Sequence, residues 1–535
     1  MRERITSVVA VLLRASPLRH ERFRRFYAGS VNTALGYTMQ ATVAAWLMAT
    51  LTTSELMVAL VQTASTAPAL LFGLIAGALA DIVERRRVVL STQVLLLTST
   101  LILGTATVLG LVGPVSLLFL TFLVGIGFTF YMPAQQALVN DLVPRTELPR
   151  AVSLSAVAFN VARAVGPALA GLLAAGLGSG IALLVSALFF VWMIVALRGW
   201  PKHVRAIPGV AVPETLLVGV RSGLRYLQHS PPLRALVIRN LSFAVCASAL
   251  WALLPVIARD QLALGAGGFG MLLGFFGAGA VIGALWIPRH LQKVSLNTVV
   301  SGGYLLWAVA ALTVAFAPWV VLAVAGCFGA GAAWVSVFAS LSAGTQTSAP
   351  AWVRARAVAT NLVTTQASLA LGSIVWGALA SAAGTPIALS VSAGVMMLLY
   401  VLSRRVRVEL GNEADVTMGV QPPELNLVVQ PMPEDGPVLI QIEYRVAPEH
   451  HRAFLHAIRA IEVVRRRNGA ASWRVFRDVE DEERFVERFV ITSWAEYTRQ
   501  RARMTVTDRD LQDRVTQLNR SGVPVRVSRF LGLDA

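Results

Sequence analysis

Twelve apolar runs, each near the length a helix needs to cross a bilayer, constrain this chain more than any other feature. A helix rises about 1.5 Å per residue, so a hydrocarbon core of about 30 Å takes roughly 20 residues. Runs of that kind fall at 26–50, 56–80, 88–112, 115–140, 151–176, 180–199, 235–258, 268–288, 296–316, 319–343, 357–381 and 385–403. The composition agrees, with 56% hydrophobic and only 14% charged residues over 535 positions, which excludes a string of soluble domains. Glycine, proline and cysteine are too ordinary in number for a collagen-like, disordered or disulfide-stapled chain. Cys246 and Cys327 both sit in apolar runs, where a thiol is a small hydrophobe, so neither a disulfide, a metal site nor a cofactor is expected.

The formal charge of +17 raises the question of nucleic acid, and its distribution answers it. Segments 1–25, 81–87, 141–150, 200–234, 289–295, 344–356 and 404–407 carry 24 basic residues, while the six intervening loops carry one, Arg259. Basic loops are retained on the cytoplasmic side during insertion, so the alternation places both termini in the cytoplasm of a bacterial inner-membrane protein. The charge therefore reports topology and membrane lipid, with no nucleic-acid partner. The short apolar stretch Ile5–Leu13 is followed by arginines rather than by a cleavage site, and reads as an uncleaved interfacial segment.

Sliding the chain on itself by 206 residues aligns Gly73 with Gly279, Gly77-Ala-Leu with Gly283-Ala-Leu, and Pro144 with Pro350. Arg150 meets Arg356, Gly166 meets Gly372 and Gly171 meets Gly377 at the same offset. Matches at turns and close-packing positions imply two six-helix halves, 26–199 and 235–407, joined by a linker at 200–234. A substrate site would lie between the halves near the midplane, opened alternately to each side.

Two stretches carry the chemistry. Gly77-Ala-Leu-Ala-Asp81-Ile-Val-Glu84-Arg85-Arg86-Arg87 follows the second run. Gly77 there would admit a neighbouring helix, Asp81 would face a helix N-terminus for about 0.3–2 kcal/mol, and Arg85 and Arg86 would pair across a cytoplasmic gate. Arginines that merely anchor topology are the competing reading, although an anchor needs no carboxylate. The second-half copy has Ile287 where Asp81 stands, so the gate is expected to be electrically asymmetric. In the fifth run, Asn160-Val-Ala-Arg163-Ala-Val-Gly166-Pro167-Ala-Leu-Ala-Gly171 combines a kinking proline with glycines that permit tight contact. Arg163 lies well inside that run, where a charge costs at least about 2.5–3.5 kcal/mol unless it meets a wet cavity or a partner. It would hold an anionic part of a substrate or assist a proton-linked step; the alternative has it snorkelling to the cytoplasmic face or bonding carbonyls loosened by Pro167. Arg239 stands closer to a run's end, and snorkelling is its default.

Asn32, Tyr37, Gln40, Gln62, Asn160, Asn240, Asn361 and Gln366 are the polar candidates for a cavity, each also readable as glue between helices. No Asp or Glu falls in the middle of a run; Glu55, Asp81, Asp141 and Asp260 all stand at edges. Proton coupling is accordingly a weaker expectation than transport, and a sparse cavity suits an amphipathic organic substrate.

After residue 407 the apolar runs cease, and 408–437 is a linker containing proline and acidic residues. Alternating segments at 438–446, 470–478, 484–492 and 523–531 read as strands, and 448–467 and 494–519 as amphipathic helices. That order, βαββαβ, is ferredoxin-like. A domain of this size buries a modest core, so a homodimer formed through residues 438–535 is the partner expected of it.

The loop from Gly77 to Arg87 resembles the signature loop of the major facilitator superfamily, and Asn160 to Gly171 is similar to the Gly-Pro motif of its antiporters. Further along, Pro437-Val-Leu-Ile-Gln-Ile-Glu-Tyr444-Arg445, Arg465-Arg466-Arg467-Asn-Gly469-Ala, Trp473 and Ser493-Trp494-Ala-Glu496 resemble the tail of one branch of that superfamily. This is the enterobactin-exporter-like, transmembrane secretion effector branch. Pro133–Ala137 and Leu142-Val-Pro-Arg145 are similar to the same branch. The resemblance implies a fold of twelve transmembrane helices and efflux of siderophores or drug-like molecules, with no enzymatic activity. Tyr37-Thr-Met-Gln40 departs from the branch pattern. Small ferredoxin-like domains also occur as cofactor-free monooxygenases, and His450, His451, His456 and Trp473 supply the alternative of a membrane-tethered enzyme. Nothing in the chain reads as a phosphate loop.

Overall fold

The computed structural model describes residues 16–144, 146–198, 200, 223–290, 294–403, 412–419 and 430–532. The expected segment at 1–15, most of the linker at 200–234 and most of that at 408–437 lie outside the described residues.

Polar punctuation sets the helices. α1 spans Glu21–Leu51; α2, Glu55–Ile82, starts at Ser54, whose hydroxyl accepts from the Met57 amide at 3.4 Å. α3 spans Arg85–Val108, α4 Pro114–Leu142 and α5 Leu148–Leu177. α6, Ser179–Leu197, follows through Gly178 alone, whose φ of +86° is open to glycine and strained for other residues. α7 spans Pro231–Val256 and runs into a π turn at Ile257–Gln261. α8 spans Ala266–His290, α9 Leu296–Ala315, α10 Val320–Ser348, α11 Ala351–Ala383 and α12 Thr385–Ser403. Eleven of these are long and apolar enough to cross a membrane, whereas α1 is 31 residues long but interrupted by Asn32, Thr33, Tyr37, Thr38, Gln40 and Thr42. α11 begins before the expected 357, directly after Pro350, so Arg354 and Arg356 lie on the helix rather than in a loop.

The chain divides into two compact units. One holds Met1–Gly209, Arg239–Leu341 and Leu362–Arg407. Within it α5 packs on α8 and α1, α4 on α2 and α3, α6 on α3 and α1, and α9 on α12. Lipid is as apolar as leucine, so such pairing depends on close fit and interhelical hydrogen bonds. Thr33 accordingly donates to Gln93 Oε1 at 3.1 Å, from α1 to α3.

The other unit holds Val210–Ile238, Ser342–Asn361 and Val408–Ala535. Its sheet runs in the order β2-β3-β1-β4, all neighbours antiparallel, with β1 at Val438–Arg445, β2 at Ala470–Arg477, β3 at Arg484–Ile491 and β4 at Arg526–Leu531. Every second residue of β1 is buried, so Val438, Ile440, Ile442 and Tyr444 share a core with Phe454, Ile458 and Ile461 of α13, His451–Arg467. The helix expected over 494–519 is two, α14 at Trp494–Ala502 and α15 at Val506–Gln517. Thr505 causes the break: its hydroxyl accepts from the Asp508 amide at 3.3 Å while Asp508 Oδ2 accepts from the Thr505 amide at 3.2 Å, a reciprocal cap that starts a new helix.

Candidate functional site

Small residues bring α5 and α8 backbone to backbone. A Cβ on Gly171 would stand 2.8 Å from Gly270 Cα, one on Gly270 2.6 Å from the Pro167 carbonyl oxygen, and one on Gly277 would strike Ala164 Cα. At the offset of 206, the same roles recur. Gly166 closes on Thr38 of α1 and Gly372 on Ser248 of α7, while Gly171 closes on α8 and a Cβ on Gly377 would stand 2.5 Å from Ala59 Cβ of α2. Thr38 reinforces its contact by donating to the Ala162 carbonyl at 3.1 Å, and Thr63 of α2 donates to the Ala370 carbonyl of α11 at 3.0 Å.

Arg163 rides on α5 beside this seam, half-buried. Its guanidinium carbon lies 5.9 Å from the ring centre of Phe159, 5.9 Å from Trp251 and 5.6 Å from Trp334. One ring belongs to the first half of the sequence and two to the second. The aromatic surface continues on both sides: Tyr37 stacks on Phe128 at 3.8 Å and 9°, Phe128 on Phe159 at 6.1 Å, and Trp251 meets Phe276 at 4.8 Å. Trp334 meets Phe338 at 4.5 Å. Among the described residues Arg163 makes no hydrogen bond and no ion pair, so the carbonyl-bonding alternative does not describe it. Cation–π contacts are worth about 0.5–2 kcal/mol each and partly offset the cost of withdrawing the charge from water. They consume none of its N–H donors.

Of the other path and cavity candidates, Asn32 and Asn160 donate within their own helices, to the Ala28 carbonyl at 2.8 Å and the Ala156 carbonyl at 3.0 Å. Gln40 is buried, and its amide nitrogen has no partner among the described residues. Gln62 and Gln366 are half-buried. Asn361 is buried and belongs to the second unit. Asn240 exchanges hydrogen bonds with Thr365, at 2.8 and 3.1 Å, as interhelical glue.

The gate candidates form a lattice within the first six helices. Arg85 Nη1 donates to the Ala137 carbonyl at 2.8 Å and pairs with Asp141 at 2.7 Å, and Arg86 Nε donates to the Leu197 carbonyl at 3.1 Å. Both arginines are thereby tied, to α4 and to the end of α6 respectively. Among the described residues, a Cβ on Gly77 would meet nothing within 4 Å. The Asp81 side chain lies outside the described residues.

Further contacts between the halves occur at the bundle end where α1 joins α2. Arg259, in the π turn after α7, donates to the carbonyls of Ala49 and Thr52 (the latter at 2.7 Å) while held by Asp260 at 2.5 Å. The Leu56 amide donates to Ser381 Oγ at 3.0 Å. A cavity of about 550 Å³ opens at this end, lined by Glu55, Asp260, Gln261 and Thr385 among others.

Sequence reasoning missed Trp251, Trp334 and Phe159, because an aromatic residue in an apolar run reads as core; the one available signal was the unaccompanied charge on Arg163. It also misplaced Arg239, which is fully buried: Nη2 donates to Asn297 at 2.9 Å and the guanidinium lies 5.7 Å from the Tyr304 ring. In the tail the histidines are not gathered into a site. His450 and His456 are exposed, His451 contacts the Val446 carbonyl at 3.1 Å, and the Trp473 indole donates to Glu487 at 3.0 Å.

Long apolar helices, a glycine seam repeated at a fixed offset and an arginine set among aromatic rings fit a multi-pass membrane carrier of the major facilitator type. Residues 14–535 match the family described as "Transmembrane secretion effector", and the chain belongs to that family. It is similar to "Multidrug efflux pump Tap" of Mycolicibacterium fortuitum, 28% identical over 68% of this chain and 90% of that protein. It is also similar to "Staphyloferrin A transporter" of Staphylococcus aureus, 22% identical over 54% of this chain and 73% of that one. Among solved structures, a bacterial homologue of the human lysosomal transporter Spinster superposes with a TM-score of 0.59 at 15% identity, covering 73% of this chain and 98% of that one. The nucleoside transporter NupG gives 0.58 at 14% identity, covering 72% and 98%.

Proposed function

We propose that the protein exports an amphipathic small organic molecule, of the siderophore or drug-like kind, by alternating access between two six-helix halves. The observation that carries the reading is Arg163 in its ring of aromatic side chains from both halves, on the helix that forms the α5–α8 seam. Rings with an occasional polar group recognise amphipathic ligands of varied shape. A seam of small residues lets two packed halves rock without prising apart long side chains. A relative described as a multidrug efflux pump supports the direction, and it and one described as a staphyloferrin A transporter support a small organic substrate.

In this reading all twelve helices span a bacterial inner membrane, with both termini and a ferredoxin-like tail in the cytoplasm. The ties of Arg259 and Leu56 then close the outer side. Asp81, Arg85 and Arg86 form the cytoplasmic gate, and Gly166, Pro167 and Gly171 shape the path. The test is accumulation of siderophore-like and drug-like compounds in inside-out vesicles, with and without a pH gradient. Accumulation above that of vesicles lacking the protein is expected, and Asp81→Asn should insert normally yet lower it by about tenfold. Wild-type vesicles that accumulate none of the compounds would overturn the reading, and full activity in Asp81→Asn would make that residue a topological anchor.

A further inference from the structure

The aromatic cluster around Arg163 contains donors and, among the described residues, no counter-charge. Arg163 makes no ion pair among the described residues, and Tyr37 is the one ionisable side chain near enough to act on it electrostatically. A phenol is neutral at physiological pH and neutralises nothing. Beside the guanidinium, Trp251 presents a buried indole N–H that has no acceptor among the described residues. The acidic residues Glu55, Asp141 and Asp260 stand at helix ends, and Asp141 and Asp260 pair there with Arg85 and Arg259. Arg239, the other deeply placed cation of these helices, has Asn297 and the Tyr304 ring. Arg163, with rings as its only contacts among the described residues, is left to be compensated from outside.

From this arrangement we infer that the pocket selects a planar organic anion, its carboxylate or equivalent acid group on Arg163 and its flat apolar body among Phe159, Trp251 and Trp334. The inference rests on the reading of this pocket as the transport path and narrows its substrate class. A carboxylate supplies two acceptor oxygens that match the guanidinium fork, and such charge-assisted bonds strengthen where water is scarce. An aromatic body meets three rings at stacking or edge distance. A cation of the same shape would place two like charges together in a site of low polarity, and a neutral analogue would leave the guanidinium uncompensated.

The experiment uses the full-length protein in lipid nanodiscs and three probes of one shape: 2-naphthoate, 2-naphthamide and 2-naphthylmethylammonium. Equilibrium binding is measured directly, so the result does not depend on transport. Wild type is expected to bind the naphthoate at least about tenfold more tightly than either analogue. Arg163→Gln should abolish that preference, and Arg163→Lys should retain part of it. Equal binding of naphthoate and naphthamide by wild type overturns the inference, as does failure to bind naphthoate below about 1 mM. A folded Arg163→Gln protein that keeps the preference overturns it too; should that variant not fold, the wild-type comparison decides alone. Vesicles that export neutral or cationic compounds while this binding test fails would sink the anion and leave the carrier. Specific naphthoate binding without export of any compound would do the reverse.

Discussion

Two charged side chains are treated in opposite ways in the two units of this chain. Arg163 in the helical unit has rings for neighbours and no counter-ion, whereas Glu496 in the tail unit, 3% exposed, is surrounded by arginines. Glu496 accepts from Arg225 at 2.5 Å, Arg499 at 3.0 Å and Arg503 at 3.2 Å, and Arg503 in turn lies 4.0 Å from the ring centre of Trp352. A second cluster beside it has the same character: Arg467 pairs with Asp508 and lies 5.2 Å from the ring centre of Tyr226. Burial pushes the Tyr226 hydroxyl up to about 12, with Arg467 pulling the other way, so it stays neutral and serves as a ring. Glu487 repeats the pattern, taking bonds from Arg465 at 3.0 Å, Trp473 at 3.0 Å and Tyr444 at 3.1 Å. The lesson is one of compensation. A buried charge whose partners are complete belongs to the architecture, and one whose partners are missing is paired only when something else arrives.

Substitutions at the two charges should therefore move stability in different directions. Glu496→Ala strands several guanidiniums and is expected to cost about 3–5 kcal/mol. Thermal unfolding and protease sensitivity of the full chain check it, and an unchanged tail would break the comparison at its compensated end. Gly171→Leu forces a side chain into the contact with Gly270 and should cost about 1–3 kcal/mol, read as a lowered melting midpoint in detergent with transport reduced. Arg163→Gln removes an uncompensated charge, so its midpoint should hold or rise even as carboxylate binding falls about tenfold, a loss of about 1.4 kcal/mol. A destabilised Arg163→Gln would show that the rings and the cation form a structural unit after all. The smallest effect is expected from Arg259→Gln, which weakens ties to two carbonyls by about 1 kcal/mol. A cysteine placed at Thr52 should then react faster with an impermeant maleimide, and an unaltered rate would mean that Arg259 does not hold that end closed.

How much of this was legible depends on the range of the interaction. Helix positions, the offset linking Gly166 to Gly372 and Gly171 to Gly377, and the alternation of Val438, Ile440 and Ile442 are written in short stretches, and the structure places helices, close contacts and a buried strand face there. The break between α14 and α15 was also legible, since Thr505 and Asp508 have the spacing of a reciprocal cap, but the amphipathic pattern on both sides hid it. Arg239 was misjudged from its distance to the end of a run, which says nothing about Asn297 or Tyr304 on another helix. The same limit hid the donors to Glu496, because Arg225 lies 271 residues away in sequence.

By itself, the sequence determined that this chain holds apolar helices of membrane-spanning length and approximately where each one lies. Those outcomes follow from the transfer of contiguous apolar stretches out of water, a property of each stretch alone. Only the tertiary structure decided which charges are answered. It brought Trp251 and Trp334 to Arg163 with no carboxylate beside it among the described residues, and it gave Arg85 to Asp141. Electrostatic compensation depends on distances of a few ångströms between residues far apart in the chain, and folding alone sets those distances.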